Sequence, residues 1–249
     1  MPIRSSPRRL RPGGNDLSLQ SRPSGAVGTP ERGQYVGQFR RHCHELIAFG
    51  YSGIHAEDHS RSEEDFITQR LKEIIKAAQR AGSLPRWADR YFITDQGPVS
   101  VPGFVGKERP KIDIEIESAE SRSRPVFHFE AKRLRTDASH SVSAYVGVDG
   151  LGSFLKELYG RSGGEGGMLG YVQSESPEHW ANSIEGKILR DGTQTHRITD
   201  DGAWAAVRLV RALKHTYVTR HYRPTLSDIS IYHTLLNFAV AASPLREPN

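Results

Sequence analysis

Between Glu63 and Arg80 the apolar residues Ile67, Leu71, Ile74, Ile75 and Ala78 recur at three- and four-residue steps, the spacing that lines one face of an α-helix. Ser60 or Ser62 can cap its start, acidic residues in the first turn suit the positive helix end, and Gly82 and Pro85 stop it. An earlier helix is predicted over Tyr35 to Phe49. Tyr91 to Thr94 and Val99 to Val105 read as short strands about the turn residues Asp95, Gln96 and Gly97. Two stronger strands follow. Lys111 to Glu117 alternates so that Ile112, Ile114 and Ile116 share one face and Asp113 and Glu115 the other. Val126 to Arg133 puts Phe127, Phe129 and Ala131 on one face, with His128, Glu130 and Lys132 opposite. The polar Ser118 to Pro125 stretch between them predicts a hairpin. Pairing Glu117 with Val126 then sets Asp113 opposite Glu130.

Beyond the hairpin, Val146, Leu151, Phe154, Leu155 and Leu158 predict a helix over Tyr145 to Tyr159, despite Gly147, Gly150 and Gly152. A glycine-rich turn leads to a buried strand over Met168 to Gln173, which a right-handed crossover would set parallel to the hairpin's second strand. In the last third, Trp180 to Leu189 reads as a helix, Trp204 to His215 as helix or strand, and Asp228 to Phe238 as a strand. No period of 20 to 50 residues repeats. The expected organisation is a tail over 1–33, a core over 34–175 and an extension over 176–249 packed on that core.

Composition changes this picture in two places. With 249 residues, a mean hydropathy of −0.56 and no apolar run near the roughly 18 residues a membrane helix needs, the chain is expected to be cytoplasmic and without a membrane span. The single Cys43 and the lack of a secretory apolar segment agree with a reducing compartment. Of the net charge of +5, +4 sits in residues 1–33, where Arg4, Arg8, Arg9, Arg11, Arg22 and Arg32 face only Asp16 and Glu31. That Arg-, Pro-, Gly- and Ser-rich segment has no sustained apolar periodicity, so it reads as a disordered basic tail. It either attracts phosphates or is simply solvated.

The hairpin carries the chemistry. Directly opposed residues hold their Cβ atoms about 4.5 to 5.5 Å apart, so Asp113 and Glu130 would meet and repel, and a divalent cation would neutralise them. Removing either carboxylate is expected to leave the metal-free fold intact or more stable. Glu130-Ala131-Lys132 is by itself a common pattern. Glu185-Gly186-Lys187 repeats it inside a predicted helix, where residues two apart point about 200° apart. Only the first copy has a facing Asp and an upstream acidic helix.

Glu63 or Glu64 on a helix, Asp113 on one strand and Glu130-Ala131-Lys132 on the next together resemble the PD-(D/E)xK nuclease superfamily, over residues 63 to about 173. Pro110 stands three residues before Asp113 rather than next to it, a departure from the motif. Tyr145 to Tyr159 and Met168-Leu169-Gly170-Tyr171-Val172 look like parts of bacterial members, some similar to phage-defence nucleases.

The resemblance implies an α/β (α+β), restriction-endonuclease-like α-β-β-β-α-β core: a mixed central sheet flanked by helices, here with a C-terminal extension. It also implies Mg²⁺- or Mn²⁺-dependent hydrolysis of phosphodiester bonds, with DNA as the expected substrate and restriction or phage defence as the setting. Asp113, Glu130 and the Ala131 carbonyl would bind the metal, and Lys132 would orient the attacking water. Glu64, nearer than Glu63 to the centre of its helix's apolar face, would hold a second metal or a metal-bound water. Apart from the resemblance, Tyr217, His221, Tyr222 and Arg223 combine aromatic and cationic groups that either contact phosphates or form a polar surface, which makes Arg223 and His221, with Lys111, the candidate nucleic-acid contacts. A homodimer or a defence-system partner protein is the expected assembly. A catalytically inactive nucleic-acid-binding or sensor domain of the same fold is the alternative. The bland readings are a scaffold protein, or a solvated sheet face laced with ion pairs.

Other motifs fail on context. Gly160-Arg161-Ser162-Gly163-Gly164 matches G-x-S-x-G but lies between helix and strand, whereas a nucleophile elbow lies between strand and helix. Gly106-Lys107 lacks P-loop spacing. His42-Cys43-His44 has no second cluster to complete four ligands and reads as structural. Deleting the tail, residues 1–33, should leave the melting temperature nearly unchanged while any nucleic-acid affinity falls and becomes less salt-dependent. A large loss of melting temperature in a thermal scan would refute that assignment.

Overall fold

The computed structural model describes residues 29–54, 59–95, 99, 101–120, 124–137, 141–161 and 163–239. Its α-helices are α1 (Thr29–Gly53), α2 (Glu64–Arg80), α3 (Val142–Tyr145), α4 (Leu151–Leu155) and α5 (Pro177–Thr195). The strands are β1 (Tyr91–Asp95), β2 (Ile114–Ser118), β3 (Val126–Leu134), β4 (Glu165–Val172), β5 (Ala205–Ala206), β6 (Thr216–His221) and β7 (Ile229–Asn237). All seven form one mixed sheet in the order β1-β2-β3-β4-β7-β6-β5. The β3–β4 and β4–β7 pairs are parallel and the rest antiparallel.

Strand alternation gives the sheet two apolar faces. Phe39 and Leu46 of α1 and Ile67, Leu71 and Ile75 of α2 pack with Phe127, Phe129, Ala131, Leu169 and Tyr171 on one. On the other, Tyr145, Phe154, Ile184 and Ile188 of α3, α4 and α5 pack with Leu134, Met168, Val172 and Ile231. Each large side chain so buried stabilises the fold by about 1.5–3 kcal/mol.

The hairpin register and the parallel β3–β4 pair match the sequence pattern, and the departures have local causes. α1 begins at Thr29, inside the segment expected as tail. Glu63, not a serine, stands at the N-cap of α2, and the Ser62 carbonyl instead accepts from Gln173 Nε2 at 2.7 Å. Val99 and Val101 are buried, but Pro102 and Gly103, the latter at φ 89°, turn the chain, and the strand expected over Val99 to Val105 does not form among its described residues. The helix expected over Tyr145 to Tyr159 is split into α3 and α4. The chain bends so sharply at Gly150 that a Cβ there would lie 2.2 Å from the Tyr145 carbonyl oxygen. The last third is not merely packed on the core, since β7 pairs with β4 and extends the central sheet. Among the described residues no helix is long and apolar enough to cross a membrane.

β6 escaped the pattern because its inward residues include Thr216, Thr219 and His221, which are buried by pairing their polar groups. The His196 carbonyl can only accept, so His221 Nδ1 donates to it at 2.6 Å. His221 Nε2 must then accept from Thr219 Oγ1 at 2.6 Å, and Thr219 accepts from His233 Nε2 at 2.8 Å. His233 Nδ1 is left to accept the Tyr145 hydroxyl at 3.2 Å. Every member is neutral, and a further proton would set two donors face to face. Burial accordingly lowers the His221 pKa to about 4 and that of His233 well below its ordinary value.

A histidine held neutral in the fold but free to charge near pH 6.5 when unfolded contributes stability that is complete above pH 6.5 and is lost as pH falls. His233→Gln should therefore flatten the pH dependence of unfolding free energy by about 1.4 kcal/mol per pH unit between pH 6 and 4.5. Equal slopes for native protein and variant in urea titrations would show that His233 is not held neutral.

Candidate functional site

The β2–β3 ladder ends at the pair Ile114↔Phe129. β3 continues for five residues beyond it, and on that side of β3 the backbone N–H groups of Ala131 and Arg133 meet carboxylates instead of a strand. Asp113 Oδ2 accepts from Ala131 N at 2.7 Å. Glu64, the first residue of α2, accepts from Arg133 N through Oε2 at 3.0 Å. The expected register holds, with Glu117 opposite Val126, but Asp113 stands one residue past the ladder and turns onto the backbone rather than facing Glu130 as a strand pair.

Lys132 ties the group together. Its Nζ donates to Glu130 Oε1 at 2.8 Å and to Glu64 Oε1 at 3.1 Å. Burial opposes its charge, but Glu130 and Glu64 outweigh that and hold its pKa above the ordinary lysine value. Asp113 is raised to about 6 by burial, against the opposing pull of the Ala131 N–H and Lys132. Burial and then the neighbouring Asp113 charge raise Glu130 to about 8. Glu130 Oε2 is buried with no hydrogen-bond partner among the described residues. From α2, the buried Lys72 donates to the Asp113 carbonyl oxygen at 3.0 Å and fixes the backbone that carries this carboxylate.

The neighbours on this face are committed elsewhere. Gly160 N donates to His128 Nδ1 at 3.0 Å, so His128 Nε2 carries the proton and donates to Glu115 Oε2 at 3.0 Å. That bond is the main reason the Glu115 pKa lies below its ordinary value.

The structure thus brings Glu64, Asp113, Glu130 and Lys132 together. It separates Glu63, which is 75% exposed and pairs with Arg133 at 2.8 Å. Lys111 is exposed. Arg223 and His221 are corrections: both are fully buried. The Arg223 guanidinium donates to the carbonyls of Ser227 at 2.8 Å, Gly160 at 2.9 Å and Gly163 at 3.4 Å, clamping the glycine-rich turn where a phosphate contact was expected. His221 belongs to the buried hydrogen-bond chain. Glu185-Gly186-Lys187 lies in α5, where Lys187 pairs with Asp191 at 3.0 Å. His42 bonds to the Tyr91 hydroxyl at 2.7 Å and His44 to the Arg40 carbonyl at 2.9 Å, structural roles as expected.

Lys72 was missed. Its signal is the four-residue spacing of Glu64, Thr68 and Lys72, which sets all three on one side of α2.

Among the described residues no group of three or more His, Cys, Asp or Glu is arranged to hold a metal ion. Of the three carboxylates at β3, Glu64 is taken up by Lys132 and the Arg133 N–H, which leaves Asp113 and Glu130, the latter with an unpartnered buried oxygen. Such a set fits a hard cation that keeps several of its waters. No family model, no curated protein and no solved structure matches this chain.

The two carboxylates should differ in metal-free protein. Glu130→Gln removes a buried like charge and should raise stability at pH 9 by roughly 1–3 kcal/mol. Asp113→Ala strands the Ala131 N–H and should lower it by about 1–3 kcal/mol, which revises the expectation for that residue. Urea unfolding in EDTA measures both, and shifts of the same sign would refute the assigned roles.

Proposed function

We propose that this protein is a metal-dependent phosphodiester hydrolase of the restriction-endonuclease-like kind, acting on nucleic acid and by preference DNA, in the cytoplasm and in the setting of restriction or phage defence. The observation that carries the reading is the buried, unpartnered Glu130 Oε2 beside Asp113, with the Lys132 ammonium 2.8 Å from the same carboxylate. The run α2, β1, β2, β3, split helix, β4 supports it by following the superfamily's α-β-β-β-α-β order.

Asp113 and Glu130, with the Ala131 carbonyl, would hold Mg²⁺ or Mn²⁺. When bound, the metal would supply charge stabilisation at the phosphate and a bound water of lowered pKa. Lys132 presents a fixed cation where negative charge develops, at no cost in reorganisation during the reaction. Glu64 holds Lys132 from the other side and caps the Arg133 N–H, so it is a positioning residue for both. The role expected of it, holding a second metal or a metal-bound water, is replaced in this reading.

The alternative, an inactive nucleic-acid-binding domain, draws on one observation: Lys132 already bridges Glu64 and Glu130 as a closed ion-pair set. Cleavage of plasmid and of labelled oligonucleotides with Mg²⁺ or Mn²⁺ decides between them. Asp113→Ala and Glu130→Ala should abolish turnover and weaken Mn²⁺ binding. Lys132→Ala should keep the metal and lose about 10²–10³-fold in rate. Glu185→Ala should cleave normally. Binding without metal-dependent cleavage by native protein would favour the inactive domain, and identical behaviour of all four variants would sink the hydrolase reading.

A further inference from the structure

Where β3 ends, a pocket of about 490 Å³ opens between the chain following it and α5. Arg135, Lys187 and Arg190 line it, against the single carboxylate of Asp137. Hydroxyls of Ser141, Ser143 and Ser183 add small donors. One wall is Trp180, held in place by its indole N–H, which donates to the Ser174 carbonyl at 2.7 Å. The volume suits a nucleotide-sized ligand.

The cations are available. Arg135 contacts Asp137 at 3.0 Å and Lys187 contacts Asp191 at 3.0 Å, but both are surface pairs of small energy that a phosphate can displace or join. Arg190 has no ion-pair partner among the described residues.

Position adds a second reason. Glu130, Lys132 and Leu134 share a face of β3, and Leu134 packs in the same cluster as Trp180, Ile184 and Ile188 of α5. The pocket therefore lies on the face that carries Glu130 and Lys132. Arg135, the residue after β3, follows Lys132 by three residues, roughly 10 Å of extended chain. A polynucleotide with one phosphate at Lys132 would reach Arg135 within a few nucleotides.

We infer that the pocket lined by Arg135, Lys187 and Arg190 binds phosphate esters and anchors the nucleic-acid chain beyond the cleavage position. The polynucleotide assignment rests on the hydrolase reading. The phosphate chemistry does not, since a free nucleotide offers the same group. Lys187, from the motif copy in α5, acquires a role here as a surface cation.

The test is fluorescence anisotropy of a labelled 12-nucleotide single strand with the full chain in EDTA, where no cleavage occurs, at several salt concentrations. Arg135→Gln/Lys187→Gln/Arg190→Gln should raise Kd at least 10-fold and reduce the salt slope by about 2, at roughly 0.7 for each phosphate that is no longer neutralised. Arg190→Gln alone should weaken binding measurably and Arg190→Lys should restore most of it, with circular dichroism confirming the fold of each. In a second arm, AMP is titrated by calorimetry. Binding of AMP that the triple variant abolishes, with oligonucleotide affinity unchanged, would keep the phosphate pocket but overturn its role as a chain anchor. Unchanged affinity for both probes in the triple variant overturns the pocket altogether. Metal-dependent cleavage by native protein, run in parallel, reports on the hydrolase reading independently of either result.

Discussion

The hydrogen-bond requirement of two backbone N–H groups organises the middle of this molecule. β2 joins the sheet only at Ile114 while β3 runs on to Leu134, so Ala131 and Arg133 point donors at a place where no strand lies among the described residues. An orphaned buried donor costs about 1–3 kcal/mol, and here each is satisfied by a carboxylate. Asp113 sits just before that entry point and Glu64 arrives from the start of α2. The opening in the ladder therefore determines which acidic side chains gather, and Lys132, projecting between them, is the cation that makes their gathering tolerable.

That balance remains incomplete. Three carboxylates share one ammonium, in surroundings that hold Asp113 and Glu130 toward their neutral forms. Structural ion-pair networks ordinarily match their charges and satisfy their oxygens, and a buried carboxylate raised to about 8 with a bare oxygen does neither. Departures of this kind concentrate where a protein has chemistry to perform. The buried histidine chain of β6 and β7 offers the contrast: it is equally polar and equally buried, yet every donor in it has an acceptor.

Much of this was legible in the sequence because periodicity reports burial. The stripe of α2, the alternation of β2 and β3 and their register all follow from apolar spacing, and with them the placing of Glu130, Lys132 and Glu64. What periodicity does not report is where a ladder stops, so the turn of Asp113 onto Ala131 N could not be read from alternation that continues unbroken through it. Glycine was the second blind spot. Gly147, Gly150 and Gly152 look like tolerable interruptions of an apolar helix, whereas the folded chain uses close backbone approach there to split it. Arg223 misled for a third reason: a cation beside aromatic residues resembles a phosphate contact, but three carbonyls of the chain itself absorb its donors.

The sheet order also bears on how the chain is made. β4 is buried along its length, and one of its two edges is closed by β3, which precedes it, while the other waits for β7, more than fifty residues later. During synthesis the N-terminal two-thirds can assemble β1 to β4 and then must hold a long apolar parallel edge open until residues 229–237 leave the ribosome. Such an edge is a template for pairing with other chains. Nascent or truncated forms ending before β7 would thus present an open apolar edge, the feature that makes incomplete chains prone to pair with one another.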